Sequence, residues 1–469
     1  MDTILNSSLW IPVLVTNLLV VPLMVGLFIY LFGKQLLRYM VNRVVDHCIN
    51  LLTTETYTHN LFETITSFKR STVQKILEAE LRSQRGKLIE RPLGSPKSFA
   101  GYDTLMFAPT IMTRFPIPES TPIDMRVTIG PQAAKPLTIE IPLIIGGMAY
   151  GLALSEEMKI AMARAAKTMQ TVIGSGEGPF LPEERQAAGK YLLQISRWSW
   201  GGRTDEQIAT ADMLEVQMGQ GAEIGTIRVE PMQGRAQRMA GLLPGQSVIS
   251  LTTPPGLTSP DDWPCYMAEL RQRANGIPIG LKLMAAGYLE EDLAVAVSLG
   301  FDAIILDGAQ GGTHSSTPIK QDDFGIPTLN ALVRANRFLR EKGVRHRITL
   351  ITAGGYLTPG ECLKALALGA DAVVLGSIVM MSAAGHQAFK VIPFEPPNTI
   401  AYYDSPAVNG RLDIDRAATS VVNLLTSMMA EMEEAMRALG KASLRELGPD
   451  DLVALDTYTA EITGVKRIY

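Results

Sequence analysis

The chain has 469 residues, enough for one large domain with appendages or for about two or three average ones. With 46% hydrophobic and 19% charged residues it reads as neither disordered nor low-complexity, and a formal net charge of -4 leaves no electrostatic footprint for nucleic acid. Its three cysteines, Cys48, Cys265 and Cys362, are far apart without CxxC spacing, which argues against a disulfide framework, a structural zinc site and a local iron–sulfur motif.

No charged residue occurs between Thr3 and Gly33. Residues 9–32 are apolar over a length that crosses a bilayer as one helix, with Trp10 and Tyr30 placed as interfacial aromatics and Pro12 and Pro22 as points of kinking. Lys34, Arg38 and Arg43 follow at once, whereas the tail before the segment carries only Asp2. The positive-inside rule therefore expects a single-pass cell-membrane protein whose remaining chain faces the cytoplasm. A cleaved signal peptide and a buried soluble helix compete for this segment. The first lacks its basic leader and small-residue cleavage site, and the second is rarely apolar all round over such a length. Residues 34–140 read as a connector, helical to about residue 90 with Leu61, Ile65, Leu77 and Leu81 at helix spacing, then proline-rich and irregular.

From 141 to 385 short Val- and Ile-rich runs alternate with helix-like segments. The candidate strands are 142–148, 171–174, 191–196, 213–218, 277–283, 303–307, 348–352 and 372–376. Continuous apolar strands suit a parallel sheet buried on both faces, and eight strand–helix units of this total length suit an α/β TIM (β/α)8 barrel. The junctions at Leu299-Gly-Phe-Asp-Ala and Leu368-Gly-Ala-Asp-Ala share one helix-end, strand-start grammar. A doubly wound sheet is the alternative. Residues 386–469 read as a C-terminal helical extension, with Leu425, Met428, Met429, Met432, Met436 and Leu439 on one face.

A TIM barrel places chemistry at the C-terminal ends of its strands. Those ends carry Gly147, Met148 and Ala149; Ser175 and Glu177; Gln194; Gly311, Gly312 and His314; Gly354 and Gly355; and Gly376 and Ser377. The glycines after the seventh and eighth strands, with helices starting at Thr358-Pro359 and Ser377, offer N–H groups and helix dipoles to a phosphate, although turn-making alone also accounts for them. Lys282 stands in an otherwise apolar strand, placed to offset a bound negative charge or to form a structural ion pair with Asp307 or Glu177. Glu177 is either a carboxyl perturbed by burial or a turn residue, and His314 either a proton donor or a solvated loop residue. The histidines show no ligand spacing, so no metal is expected. The long stretch 219–276, with Arg228, Arg235 and Arg238, is either a lid or a solvated insertion.

In this order the strand-end motifs resemble the FMN-binding synthase domain of the glutamate synthase family. The family's Gly-Ala-Met-Ser-Tyr-Gly is similar to Gly146–Gly151, its Thr-Gly-Glu-Gly to Ser175–Gly178, and its Gln-Val-Ala-Ser to Gln194-Ile195-Ser196. Its Lys-Met-Ala-Gln-Gly-Ala is similar to Gln217–Ala222, its Val-Lys-Leu to Leu281-Lys282-Leu283, its Asp-Gly-Gly-Thr-Gly-Ala to Ala309–His314, and its phosphate-end glycines to Gly354, Gly355 and Gly376. The likeness covers roughly 95–465 and is specific in combination. It implies FMN held by those glycines, Lys282 beside the flavin favouring its anionic reduced form, and a role in glutamate biosynthesis: amination of 2-oxoglutarate or a related 2-oxo acid, then reduction to the amino acid. Two family cations that meet the substrate acid align with Leu193 and Ser199, with Arg197 and Arg203 nearby. The cysteine cluster after strand eight is replaced by Met380-Met-Ser-Ala-Ala-Gly-His-Gln, and the chain reads as lacking a glutaminase domain, so an electron-donor or amidotransferase subunit is an expected partner. The alternatives are a non-catalytic flavin-binding or scaffold protein and another FMN barrel such as an α-hydroxy-acid oxidase, for which His314 would be the base.

Overall fold

The computed structural model describes residues 15–56, 60, 62–224, 229–314, 316–403 and 410–469; Trp10, Pro12, Leu61 and Arg228 among the residues singled out above lie outside them, as does the start of 9–32. The chain divides into two units, Met1–Ile89 and Glu90–Tyr469.

In the first unit the helix Val21–Thr54 runs unbroken, with no buried residue, and is long and apolar enough to cross a membrane. Its 34 residues rise about 51 Å, against about 30 Å of hydrocarbon, so the helix continues well beyond the apolar segment, through Lys34, Arg38 and Arg43. Pro22 does not break it. A π turn over Thr16–Val20 precedes the proline, with the Val21 N–H bonded to the Thr16 carbonyl, and such a turn absorbs the register change that a proline forces. Helices Phe62–Ser71 and Val73–Arg85 follow; Thr72 caps the second through the Lys75 N–H, and Gly86 ends it in the left-handed conformation.

Among its described residues the second unit contains fourteen strands: β1 (Leu105–Phe107), β2 (Val127–Ile129), β3 (Leu137–Ile139), β4 (Leu143–Ile145), β5 (Val172–Gly174), β6 (Lys190–Ile195), β7 (Met213–Gln217), β8 (Val229–Pro231), β9 (Ser247–Ile249), β10 (Ile279–Met284), β11 (Ala303–Asp307), β12 (Thr349–Ala353), β13 (Ala372–Leu375) and β14 (Leu452–Ala454). Eight close into a parallel barrel, β4-β5-β6-β7-β10-β11-β12-β13, with Val373 opposite Leu143 completing the ring. This is the TIM-like α/β barrel expected, and closure excludes the doubly wound sheet. The cause is visible in the strands: β4, β5, β7, β10, β11 and β12 are buried at every position, as strands covered on both faces must be.

Two features lie within the stretch read as irregular. β1 pairs antiparallel with β14, tying the connector to the C-terminal extension. β2 and β3 form a hairpin whose Val127, Ile129, Leu137 and Ile139 pack with Ile144, Val172, Leu192, Met213, Ile305 and Ile351 inside the barrel. The hairpin thus plugs the N-terminal end, and the opposite end is left for chemistry. The helix Ile414–Ala438 buries Val421, Leu425, Met428, Met429, Met432 and Met436, the face expected of it, and lies on the helix Glu156–Thr168. The stretch after β7 is structured: the β8–β9 hairpin and helix Gly234–Met239 place Met232, Ala236 and Val248 on Tyr150, Leu181 and Trp198, over the loops that follow β4, β5 and β6.

Candidate functional site

The loops after β4 and β5 meet backbone to backbone. A Cβ on Gly147 would stand 2.7 Å from the Gly176 nitrogen, and Gly176 itself has φ +71°, so neither position accepts a side chain. Both loops are held from below by Lys159, which is fully buried on the helix Glu156–Thr168. Its Nζ donates to the Met148 carbonyl at 2.6 Å and the Ser175 carbonyl at 3.0 Å and lies 2.8 Å from Glu184 Oε1. Burial raises the Glu184 carboxyl, opposed by Lys159 and by the Tyr191 hydroxyl that donates to its other oxygen. Arg203 ties the loop after β5 to β6, donating to the carbonyls of Gln194, Gly178 and Gly176; burial lowers its pKa to about 10.

Ser175 Oγ accepts from the Gln194 N–H at 2.9 Å, so β5 and β6 end in register. The Gln194 side chain then donates at 2.5 Å to Oε1 of Glu215, its register partner on the neighbouring strand β7. Lys282 projects from β10 opposite Gln217 of β7, and its Nζ donates to Gln220 Oε1 at 3.2 Å. Burial raises the carboxyls of Glu215 and Asp307, and in both the Lys282 charge is the largest opposing influence. The lysine therefore sits in the field of Glu215 and Asp307, and of its two expected partners Asp307 is near it.

A second polar chain crosses the mouth. Arg197, after β6, pairs with Glu223, after β7, at 2.5 Å, both buried. Glu223 Oε2 also accepts from Gln220 Nε2 at 3.2 Å and from Thr313 Oγ1, after β11, at 3.3 Å. The ends of β6, β7, β10 and β11 are thereby linked through Arg197, Glu223, Gln220, Lys282 and Thr313. Glu215, Gln220 and Glu223 were missed in the sequence. Glu215 carried a signal, a carboxylate inside an apolar strand, whereas nothing local marked Glu223.

The remaining expected residues fall as follows. Gly311 and Gly354 crowd Asp307: a Cβ on either would meet its Oδ1. Gly355 packs on Gln310 with φ +82°, and Gly312 is pressed against Leu93 and Gly94 of the connector, whose Arg91 and Leu93 bond to Ser316 and Thr313. Ala149 is buried and Met148 half-buried. The Glu177 carbonyl accepts from Trp200 Nε1 at 2.9 Å, and its side chain is 9% exposed. His314 lies edge-on to Tyr402, ring centroids 4.7 Å apart.

The two helix starts after β12 and β13 differ. Thr358 and Glu361 form a capping box that already satisfies the first, which also opens with Pro359. The helix Ser377–Gly385 has no side-chain cap, and a Cβ on its N-cap Gly376 would meet open space, so the anion-ready end is at Gly376-Ser377. Buried in the mouth, Asp307 Oδ1 and Gln217 Oε1 accept no hydrogen bond. Two buried acceptors without donors, one lysine and one uncapped helix start call for a ligand with N–H groups, a negative locus and an anionic tail. Among the described residues no cluster of three or more His, Cys, Asp or Glu is placed for a metal.

The sequence pattern described as a conserved region in glutamate synthase matches residues 104–442. A glutamate synthase large subunit-like protein of Rhizobium meliloti (strain 1021) is 31% identical over 398 residues, covering 80% of this chain and 89% of that protein. An archaeal-type glutamate synthase (NADPH) of Thermotoga sp. (strain RQ2) is 29% identical over 369 residues, covering 74% of this chain and 69% of that protein. Among solved structures, a flavocytochrome b2 variant with sulfite bound superposes with a TM-score of 0.49 at 18% identity, covering 75% of this chain and 76% of that one.

Proposed function

The chain belongs to the glutamate synthase family, and on that premise we propose that it is an FMN-dependent oxidoreductase that converts a 2-oxo acid, 2-oxoglutarate or a relative of it, to the amino acid. The observation that carries this reading is Lys282, a buried cation at the end of β10 with no carboxylate at ion-pair distance among the described residues.

The residues present suit FMN. Asp307 Oδ1 and Gln217 Oε1 are buried acceptors awaiting donors, as the N–H of an isoalloxazine would be, and Gly355, Gly376 and Ser377 would hold the phosphate at the uncapped helix start. Bound there and reduced by an electron donor, FMN would supply the hydride that reduces the imino carbon formed when ammonia replaces the keto oxygen, which leaves as water. The chain's own part is positioning. Lys282 Nζ offsets negative charge at the mouth, and Gly147, Met148, Ala149, Ser175 and Gln194 form the wall that Lys159 and Arg203 fix. The insertion over Tyr150 and Trp198 keeps water out. Glu177 and His314 are the proposed proton-handling groups of the flanking loops.

The helix Val21–Thr54 is proposed as a single-pass anchor in the cell membrane, with Lys34, Arg38 and Arg43 on the cytoplasmic side, supported by its unburied apolar surface and that charge order. The large-subunit name of the Rhizobium relative supports a partner subunit that brings electrons or ammonia. Purified protein should be yellow, release FMN on denaturation and, as Lys282→Met, show a lower flavin reduction potential. A colourless protein that takes up no FMN refutes the reading.

A further inference from the structure

We propose that residues 91–97 form a strap that sets the loop after β11 at the mouth, and that Arg91 is the positioning residue that fastens it, through Gln321 and Asp322. The proposal rests on the FMN reading. It adds to the cofactor site a part that lies before the stretch 104–442, which carries the family pattern.

Strap and loop are bonded along their backbones. The Arg91 N–H donates to the Ser316 carbonyl at 2.8 Å, the Ser316 N–H donates back to the Arg91 carbonyl at 3.3 Å, and the Leu93 N–H donates to the Thr313 carbonyl at 3.0 Å. The approach leaves no room for side chains. A Cβ on Gly312 would lie 2.6 Å from the Leu93 carbonyl oxygen, and one on Gly94 would lie 3.0 Å from the Gly312 Cα. Leu93 has φ +70° and Gly94 φ +94°, so the strap turns sharply where it crosses Gly312. A leucine holds a left-handed backbone only where its surroundings impose it.

Side chains supply that constraint. Arg91 Nε donates to Gln321 Oε1 at 2.8 Å, and its Nη2 to Asp322 Oδ1 at 2.5 Å. Ser95 Oγ donates to the same carboxylate oxygen at 2.6 Å, and Lys97 Nζ to the Asp322 carbonyl at 2.6 Å. Gln321 is fully buried, and its Nε2 donates to the carbonyls of Arg91 and Ser316. Burial would raise the Asp322 carboxyl, but the bonds from Arg91 and Ser95 outweigh it and hold the group below the ordinary carboxylate range. The Arg91 and Asp322 side chains are 15% and 19% exposed, so water screens the pair only in part.

The constraint reaches the cofactor site. Ser316 Oγ donates to the Ala222 carbonyl at 2.6 Å and Thr313 Oγ1 to Glu223 Oε2 at 3.3 Å, both beyond the end of β7. Gly311, next to the crossing point, packs on Gly221 and on Asp307 Oδ1, one of the acceptors that a flavin N–H would meet. A loop released here would hold the binding conformation for only part of the time, and apparent affinity falls by that fraction.

The test uses the full-length holoprotein and two readouts. One is the dissociation of FMN on dilution, followed by recovery of flavin fluorescence; the other is hydrogen exchange of the peptide that contains Gly311 and Gly312. Arg91→Met should weaken FMN binding by about tenfold and speed exchange of that peptide by about as much. Asp322→Asn should do the same, and the double variant should add little, since both cut one tie. Arg91→Lys, which can reach only one of the two acceptors, should recover part of the loss. Arg437→Met is the control. It cuts a comparable tie of the connector to the helix Ile414–Ala438, where Arg437 donates to the Thr121 carbonyl at 3.1 Å and to Glu433 at 2.9 Å, and it should lower the melting point while leaving both readouts unchanged. A yellow wild-type protein in which Arg91→Met leaves either readout unmoved, or in which Arg437→Met moves them equally, overturns the proposal and leaves the FMN reading standing. A wild-type protein that takes up no FMN refutes the FMN reading and the proposal with it. Should Arg91→Met not fold, Asp322→Asn, which keeps the shape of its side chain, decides the matter.

Discussion

Lys159→Met is the most exacting test of how the mouth is held. The lysine and Glu184 are 0% and 1% exposed, so solvent screens neither. Removing one member of a buried ion pair costs about 3–5 kcal/mol, because the other charge is left uncompensated. Here the abandoned Glu184 has an escape: burial already raises its carboxyl, the Tyr191 hydroxyl remains, and it can take up a proton. The Met148 and Ser175 carbonyls have no such escape and lose their donor. We expect a loss of about 3–4 kcal/mol near neutral pH. At about 2 °C per kcal/mol for a domain this large, calorimetry should show a melting point lower by about 6–8 °C. The sign with pH is fixed. A carboxyl whose folded value is raised binds more protons folded than unfolded, so stability falls as pH rises through that window. The deficit of Lys159→Met should therefore shrink toward pH 5 and grow toward pH 8. In a double-mutant cycle Glu184→Gln should recover part of the loss, since no ionisable group is then stranded. A loss below about 1 kcal/mol, or strict additivity of the two substitutions, would refute the reasoning.

Two further outcomes follow from the same chemistry. Burial raises the Asp307 and Glu215 carboxyls, so they too cost stability as pH rises above the ordinary carboxylate range; Asp307→Asn should flatten the fall in melting temperature between about pH 4 and about pH 7, and an unchanged slope would show the carboxyl is not buried. If Val21–Thr54 is an anchor, the full chain should stay with membranes through alkaline carbonate washing and leave only with detergent; release by carbonate would exclude a spanning helix.

The barrel was legible because parallel strands buried on both faces leave unbroken apolar runs, and the observed strands begin and end within a few residues of those runs. The methionine stripe of Ile414–Ala438 was legible for the matching helical reason, a period that repeats over seven turns. The β2–β3 plug was not, because three-residue strands among prolines have no period to count and their burial is decided by the barrel they enter. Lys282 announced itself as a charge in an apolar strand, and Glu215 did the same without being singled out. The capping box at Thr358 and Glu361 was also written in the sequence, and of the two helix starts expected it leaves Gly376-Ser377 as the uncapped one. Arg197 and Glu223 are 26 residues apart on consecutive strand ends, and only the pairing of β6 with β7 brings them together.

That dependence on tertiary pairing explains why the two barrel ends diverge. The plugged end buries mostly apolar side chains, with Thr349 and Asp302 bonded to backbone N–H groups, and most of it can be built from residues that need only the right volume. The mouth buries at least four cations and as many carboxyls, and each is tolerable only beside its partner. Lys159, Arg197 and Arg203 are answered by Glu184, Glu223 and backbone carbonyls, so a ligand gains little from them. Among the described residues, Lys282 is answered by Gln220 and by carboxyls that burial drives toward neutrality. On the FMN reading, a bound anion would therefore meet its counter-charge at Lys282 Nζ rather than at the cations already paired.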